Sequence, residues 1–122
     1  MTEHNTDKPL AYNLGKVFAT MQHIINTQSG DREWYASKSG GYICRFPLIE
    51  IANMHRKVMT AIMEIKSRNA ILAEKFNIAL AEVMSLLPTD IPDLTLDEQY
   101  NFQIGYFHQA KVMDDAQFET AC

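Results

Sequence analysis

The sequence predicts an all-α fold: a compact helical bundle of about four long helices and one short one. Three observations predict it. Apolar residues recur at helical spacing in four separate stretches, and no stretch alternates apolar with polar as a strand does. Glycine and proline fall between most of these stretches rather than inside them. The 122 residues are 47% hydrophobic, enough for one domain to bury a core without disulfides or metals. The spacing places that domain over 9–112, with a flexible leader at 1–8 and a flexible tail at 113–122.

The first helix begins at Pro9, whose fixed φ suits a first turn. Leu10, Leu14, Val17, Phe18, Met21, Ile24 and Ile25 then form one stripe. Tyr12, Gly15, Ala19 and His23 form a narrower line on the opposite side, and the small pair Gly15/Ala19 admits a neighbouring helix closely. Ser29-Gly30 ends the element. Asp31 is placed to cap a short helix over Arg32–Lys38, which Ser39-Gly40-Gly41 breaks.

A third helix starts near Cys44–Pro47 and runs to about Ile65. Its expected apolar face is Leu48, Ile51, Ala52, His55, Val58, Met59, Ile62 and Ile65. Lys66-Ser67-Arg68-Asn69 reads as a turn, although no Gly or Pro marks it, so one long continuous helix is the alternative. A fourth stripe follows: Leu72, Phe76, Ala79, Leu80, Val83, Leu86 and Leu87. Pro88 stops it, and Pro88–Leu94 is an extended loop.

The last helix, Thr95–Lys111, is the most distinctive. Thr95 and Glu98 form a capping box, and Asp97 and Glu98 suit the positive end of the helix dipole. Leu96, Tyr100, Ile104 and Phe107 share one face; Phe102 and Tyr106 share another, with Gly105 between them, where it lets another backbone approach closely. The pattern predicts a helix packed from two sides that locks the bundle, with a frayed tail from Asp114.

Composition narrows function. No apolar run is long enough to span a bilayer, and MTEHNTDKPL lacks the blocks of a signal peptide. Cys44 and Cys122 make neither a disulfide framework nor a metal motif. The expectation is a soluble protein of a reducing cytoplasm. The net charge of −4 conceals an asymmetry. Residues 31–68 carry Arg32, Lys38, Arg45, Arg56, Lys57, Lys66 and Arg68 against Asp31, Glu33, Glu50 and Glu64, a net of +3. Residues 69–122 carry Lys75 and Lys111 against nine acids, a net of −7. A basic middle can meet phosphate while the whole chain stays acidic; an idle, unevenly charged surface is the plainer reading.

Catalytic signatures are missing from the sequence: no phosphate-cradling glycine loop, no nucleophile elbow and no HExxH. Asp90, Asp93 and Asp97 lack the spacing of a calcium loop, and Pro92 interrupts them. His55, in the middle of an apolar stripe, reads as a hydrogen-bonded core histidine rather than a ligand. His108 is placed to cap or bridge neighbouring helices. No cofactor and no metal is expected. Trp34, Tyr35 and Tyr42 lie among Arg32, Lys38 and Arg45, the mixture of π-faces and cations that a single strand needs. The alternative is that Trp34 and Tyr35 plug the end of the bundle.

Two segments carry a resemblance. AYNLGKVFATMQHI, Ala11–Ile24, resembles the AYxLG-basic-xFA opening of the C-terminal region of the type I-C CRISPR Cascade large subunit. LTLDEQYNFQIGYFHQAK, Leu94–Lys111, resembles the LSLEEQxxFxxGYYHQR of the same family. DREWYAS and RFPLIEIANMH fit in order between them, so the resemblance covers about residues 9–112. Leu48 stands where a basic residue is expected, Lys16 and Lys111 replace arginines, and Phe107 replaces a tyrosine.

In that family the C-terminal part of the large-subunit frame is also made separately, as a small subunit, and a chain of this length with its own Met1 looks like that product. The resemblance implies a non-enzymatic helical bundle, present in more than one copy, that braces the backbone subunits. It also implies a hold on target DNA, especially the displaced non-target strand of the R-loop, with guide RNA reached only through the complex. On that basis Lys16, Arg32, Lys38, Arg45, Arg56 and Lys57 are the candidate phosphate contacts. A pure assembly protein, whose acidic C-terminal half docks on basic partner subunits, is the alternative.

Overall fold

Residues 9–30 and 47–116 are described by a computed structural model of the chain. The described residues form four helices and no strand: α1 (Leu10–Ser29), α2 (Pro47–Lys66), α3 (Ala70–Met84) and α4 (Leu96–Ala116). The expected short helix over Arg32–Lys38, the entry at Cys44, and the leader over 1–8 lie outside the described residues, as do residues 117–122.

Local chemistry sets each boundary. Pro9 stands immediately before α1, and its carbonyl accepts from the Asn13 N–H at 3.2 Å. Gly30 closes α1 at φ 82, the left-handed region that glycine enters without a Cβ clash, and its N–H reaches the Asn26 carbonyl at 2.8 Å. The unmarked turn after Lys66 does break the chain. The Arg68 and Asn69 N–H groups fold back onto the Ile65 carbonyl, and the Asn69 side chain accepts from the Leu72 N–H at 3.1 Å. Asn69 is thus the N-cap of α3, and the long apolar stretch is two helices. The Thr95/Glu98 capping box closes in both directions. The Thr95 N–H donates to Glu98 Oε1 at 2.7 Å, and the Glu98 N–H donates to Thr95 Oγ1 at 3.2 Å. α4 runs to Ala116, past the expected fraying point at Asp114, and Met113 is buried on it.

α1 is the central helix. Its stripe Leu14, Val17, Phe18, Met21 and Ile24 is buried, and so are Gly15, Ala19 and Thr20 on the other side. It packs against α4 on one flank and against α2 and α3 on the other, while α2 and α3 also pack together. Side-chain pairs along α1 and α4 ascend together, from Tyr12–His108 through Thr20–Gln109 to His23–Asp114, so the two helices run in the same sense.

The small-residue line explains how closely they meet. A Cβ on Gly15 would strike the Phe102 carbonyl oxygen and lie 2.6 Å from the Tyr106 nitrogen. A Cβ on Gly105 would strike the Tyr12 carbonyl oxygen and lie 2.8 Å from its carbon. Each glycine therefore receives the other helix's backbone, as the sequence suggested for both. Phe18 stacks at a tilt on Phe102, 5.4 Å between centroids, just beside this crossing. Within the seam Gln109 Nε2 donates to Thr20 Oγ1 at 3.1 Å, and that hydroxyl donates on to the Lys16 carbonyl at 3.0 Å. The buried amide is satisfied by a partner that also fixes register.

Two expected faces are corrected. On α2 the core side is Ile51, Met54, Val58, Ala61, Ile62 and Ile65. Leu48, Ala52, His55 and Met59, expected inside, are exposed. His55 is therefore a surface histidine, not a core one. Both stripes have helical spacing; α1 and α3 cover only one of them. On α4 the packed face is Phe102, Tyr106, Gln109 and Met113. The expected second packed face stays outside: Leu96 is 82% exposed, Tyr100 68% and Phe107 55%, with only Ile104 half-buried. Among the described residues α4 packs extensively against α1 alone, so one side is what they bury.

Candidate nucleic-acid interface

Of the six candidate phosphate contacts, three fall in the described residues. Arg32, Lys38 and Arg45 lie outside them, with Trp34, Tyr35 and Tyr42, so the proposed mixture of aromatic and basic side chains has no described geometry.

Arg56 and Lys57 are exposed on α2. Successive residues on a helix point about 100° apart, so the two do not share a line. Lys57 lies in line with Glu50 and Glu64, seven residues to either side. Those carboxylates weaken the field it offers to a phosphate. Glu64 in turn accepts from the Gln28 side chain, which ties the end of α2 to the end of α1. Arg56 lies instead between Ile49 and Met63, with no carboxylate on its line. A planar guanidinium in that setting can take a phosphate in a two-point grip.

Lys16 is half-buried on α1, the helix that all three others touch. The exposed pair on α2 is therefore better presented to a long polyanion than Lys16 is. Lys111, the last basic residue of the chain, is exposed and pairs with Asp115 at 3.4 Å.

The histidines take structural places. His108 shares a hydrogen bond with the Tyr12 hydroxyl at 2.8 Å, bridging α1 and α4 as one of its two expected roles had it. His23 sits edge-on to the Phe76 ring, with Nδ1 3.8 Å from Asp114. Burial pushes the Tyr106 phenol well above the usual tyrosine range, so it stays neutral in the seam. Among the described residues no three His, Cys, Asp or Glu side chains gather as a metal site would require. No helix there is long and apolar enough to cross a membrane.

Sequence reasoning missed the exposed apolar stripes on α2 and α4. The signal for both was present, since each helix carries apolar residues on more than one side.

No curated protein matches the chain. A family model does, that of the CRISPR-associated protein (Cas_Csd1), over residues 1–113. The match runs through the Gly15 and Gly105 segments that build the α1–α4 seam, through the basic middle, and through nearly the whole of α4. The chain belongs to the CRISPR-associated Cas_Csd1 family, that of a type I-C Cascade subunit.

Proposed function

We propose that the chain is a non-catalytic small subunit of a type I-C CRISPR RNA-guided surveillance complex, active in the cytoplasm in antiviral defence. It braces the backbone subunits beside the large subunit and a second copy of itself. It stabilises the R-loop by binding target DNA, chiefly the displaced non-target strand, and meets guide RNA only through the complex. Family membership supports the setting. The observation that carries the DNA role is the placing of Arg56 on the solvent side of α2, inside a segment with a net charge of +3. In such complexes guide pairing reads sequence and protein holds backbone, so a cation on a rigid helix suffices.

The test is charge reversal, Arg56→Glu with Lys57→Glu, in the assembled complex. Opening of the target duplex is followed by the reactivity of unpaired thymines. R-loop formation should fall, and two lost contacts to a single strand should lessen the salt dependence by a slope of about 1.4. An unchanged R-loop with an unchanged slope would remove α2 from the DNA path.

One observation favours a second reading, an adaptor working through protein contacts alone. The most exposed large apolar side chains include Leu96, Tyr100 and Met63, and apolar surface of that kind suits protein rather than phosphate. Under that reading the charge reversal leaves the R-loop intact once the complex has formed.

A further inference from the structure

Two further cations stand together where α2 ends. Lys66, its last residue, and Arg68, in the turn to α3, are both exposed. Among the described residues neither enters an ion pair. The corner that carries them is fixed by its backbone. The Arg68 and Asn69 N–H groups donate to the Ile65 carbonyl at 3.0 and 2.7 Å, and the Ser67 hydroxyl donates to the Glu64 carbonyl at 2.7 Å. Asn69 takes the Leu72 N–H with its side chain and the Ala73 N–H with its carbonyl. The charge the corner offers is therefore that of its side chains.

The nearest carboxylate along the chain is Glu64, four residues before Arg68. At that spacing an acid on a helix pairs with a basic residue after it. Glu64 is otherwise engaged: its carboxylate accepts from the Gln28 side chain at the end of α1. Lys66 points about 160° away from Glu64 round α2 and is beyond its reach.

We propose that Lys66 and Arg68 form a phosphate-binding point at the α2–α3 corner, and that Gln28 is its positioning residue, holding the Glu64 carboxylate against α1 and off Arg68. A guanidinium left unpaired beside an ammonium can take a phosphate in a two-point grip with a second charge behind it. Lys66 lies about 15 Å along α2 from Arg56, on the half of the helix that faces solvent, so the corner continues a track that a strand's backbone can follow. The inference rests on the proposed function for its ligand, a target-DNA strand; the hold of Gln28 on Glu64 belongs to the chain itself.

The test uses the assembled complex, with opening of the target duplex followed by thymine reactivity over a series of salt concentrations. Lys66→Gln with Arg68→Gln should lower R-loop formation and lessen the salt slope by about 1.4, the share of two contacts to a single strand. Gln28→Ala removes no charge, yet should lessen the slope by about 0.7, because the released Glu64 takes Arg68. Adding Glu64→Gln to Gln28→Ala should restore the parent slope, since no carboxylate is then left to release. A tie that served only the fold would not be rescued in this way. Circular dichroism and the subunit composition of each complex check fold and assembly.

An unchanged slope for Lys66→Gln with Arg68→Gln, while Arg56→Glu with Lys57→Glu still acts, would strike the corner and leave the proposed function standing. No response to either pair would strike both. A silent Gln28→Ala, or a loss that Glu64→Gln does not restore, would overturn the positioning role. A complex that loses subunits when Lys66 and Arg68 are neutralised would mean that the corner faces an acidic protein surface, and the phosphate assignment would fall.

Discussion

Replacing Gly15 by alanine is expected to lower stability by about 2 kcal/mol, although the same change at a solvent-facing helix position stabilises by about 1 kcal/mol. The difference comes from what the new methyl group meets. It would strike the Phe102 carbonyl oxygen and stand 2.6 Å from the Tyr106 nitrogen and 3.1 Å from the Phe102 carbonyl carbon. Ordinary contact begins at 3.4 Å. These are helix backbone atoms and cannot rotate aside, so α4 must retreat from α1. The retreat loosens the Phe18–Phe102 pair and stretches the Gln109–Thr20 hydrogen bond, both set in the same seam. Overpacking of this kind costs about 1–3 kcal/mol; taking the upper end and subtracting the propensity gain leaves a net loss of about 2. With an unfolding entropy of about 2.1 cal/mol/K per residue, a chain of 122 residues should lose roughly 8 °C in Tm.

Calorimetry with circular dichroism measures it. Gly105→Ala should act alike, because its methyl group would strike the Tyr12 backbone. The double variant should lose less than the sum, since the first separation already makes room for the second methyl. A rise in Tm for Gly15→Ala, or strict additivity of the pair, would refute the close backbone crossing.

Two further predictions concern polar groups. Thr95→Ala removes the acceptor of the Glu98 N–H and should cost about 1 kcal/mol, read as a Tm drop of roughly 4 °C; an unchanged Tm would mean that the cap contributes nothing. Thr20→Val keeps the shape of the side chain but leaves the buried Gln109 amide without its acceptor. It should cost about 1–3 kcal/mol, and the double change Thr20→Val with Gln109→Leu should recover part of it in urea unfolding.

The legibility of the fold differs from helix to helix. α1 was readable on both sides, because its long apolar stripe and its Gly15/Ala19 line are both buried. The capping box of α4 was readable because it is local, needing only Thr95, Glu98 and the turn between them. The break between α2 and α3 was half-readable. Asn69 is a good cap, but no Gly or Pro marks the turn. On α2, periodicity offers two overlapping stripes, and Leu48, Ala52, His55 and Met59 belong to the one left uncovered. His55 shows the reason: its spacing suited a buried face, and nothing in the spacing says which neighbour arrives. For the candidate interface, the basic middle is a property of the sequence. The separation of Arg56 from Lys57 round the helix, with carboxylates on one line only, also follows from spacing; that Ile49 and Met63 beside Arg56 stay in solvent required knowing which side of α2 is covered.

Helical character, the approximate ends of the helices, and the room that Gly15 and Gly105 leave for a close backbone are all written in local sequence. These follow from short-range rules of period, capping and missing side chains, which act within a few turns of one helix. Tertiary structure alone decided that the two glycines receive each other's helices. It alone decided that α4 packs on one side, leaving Leu96, Tyr100 and Phe107 in solvent. An apolar stripe states that burial is favourable; only the placing of the other helices determines which stripe finds cover within the chain and which is left for a partner.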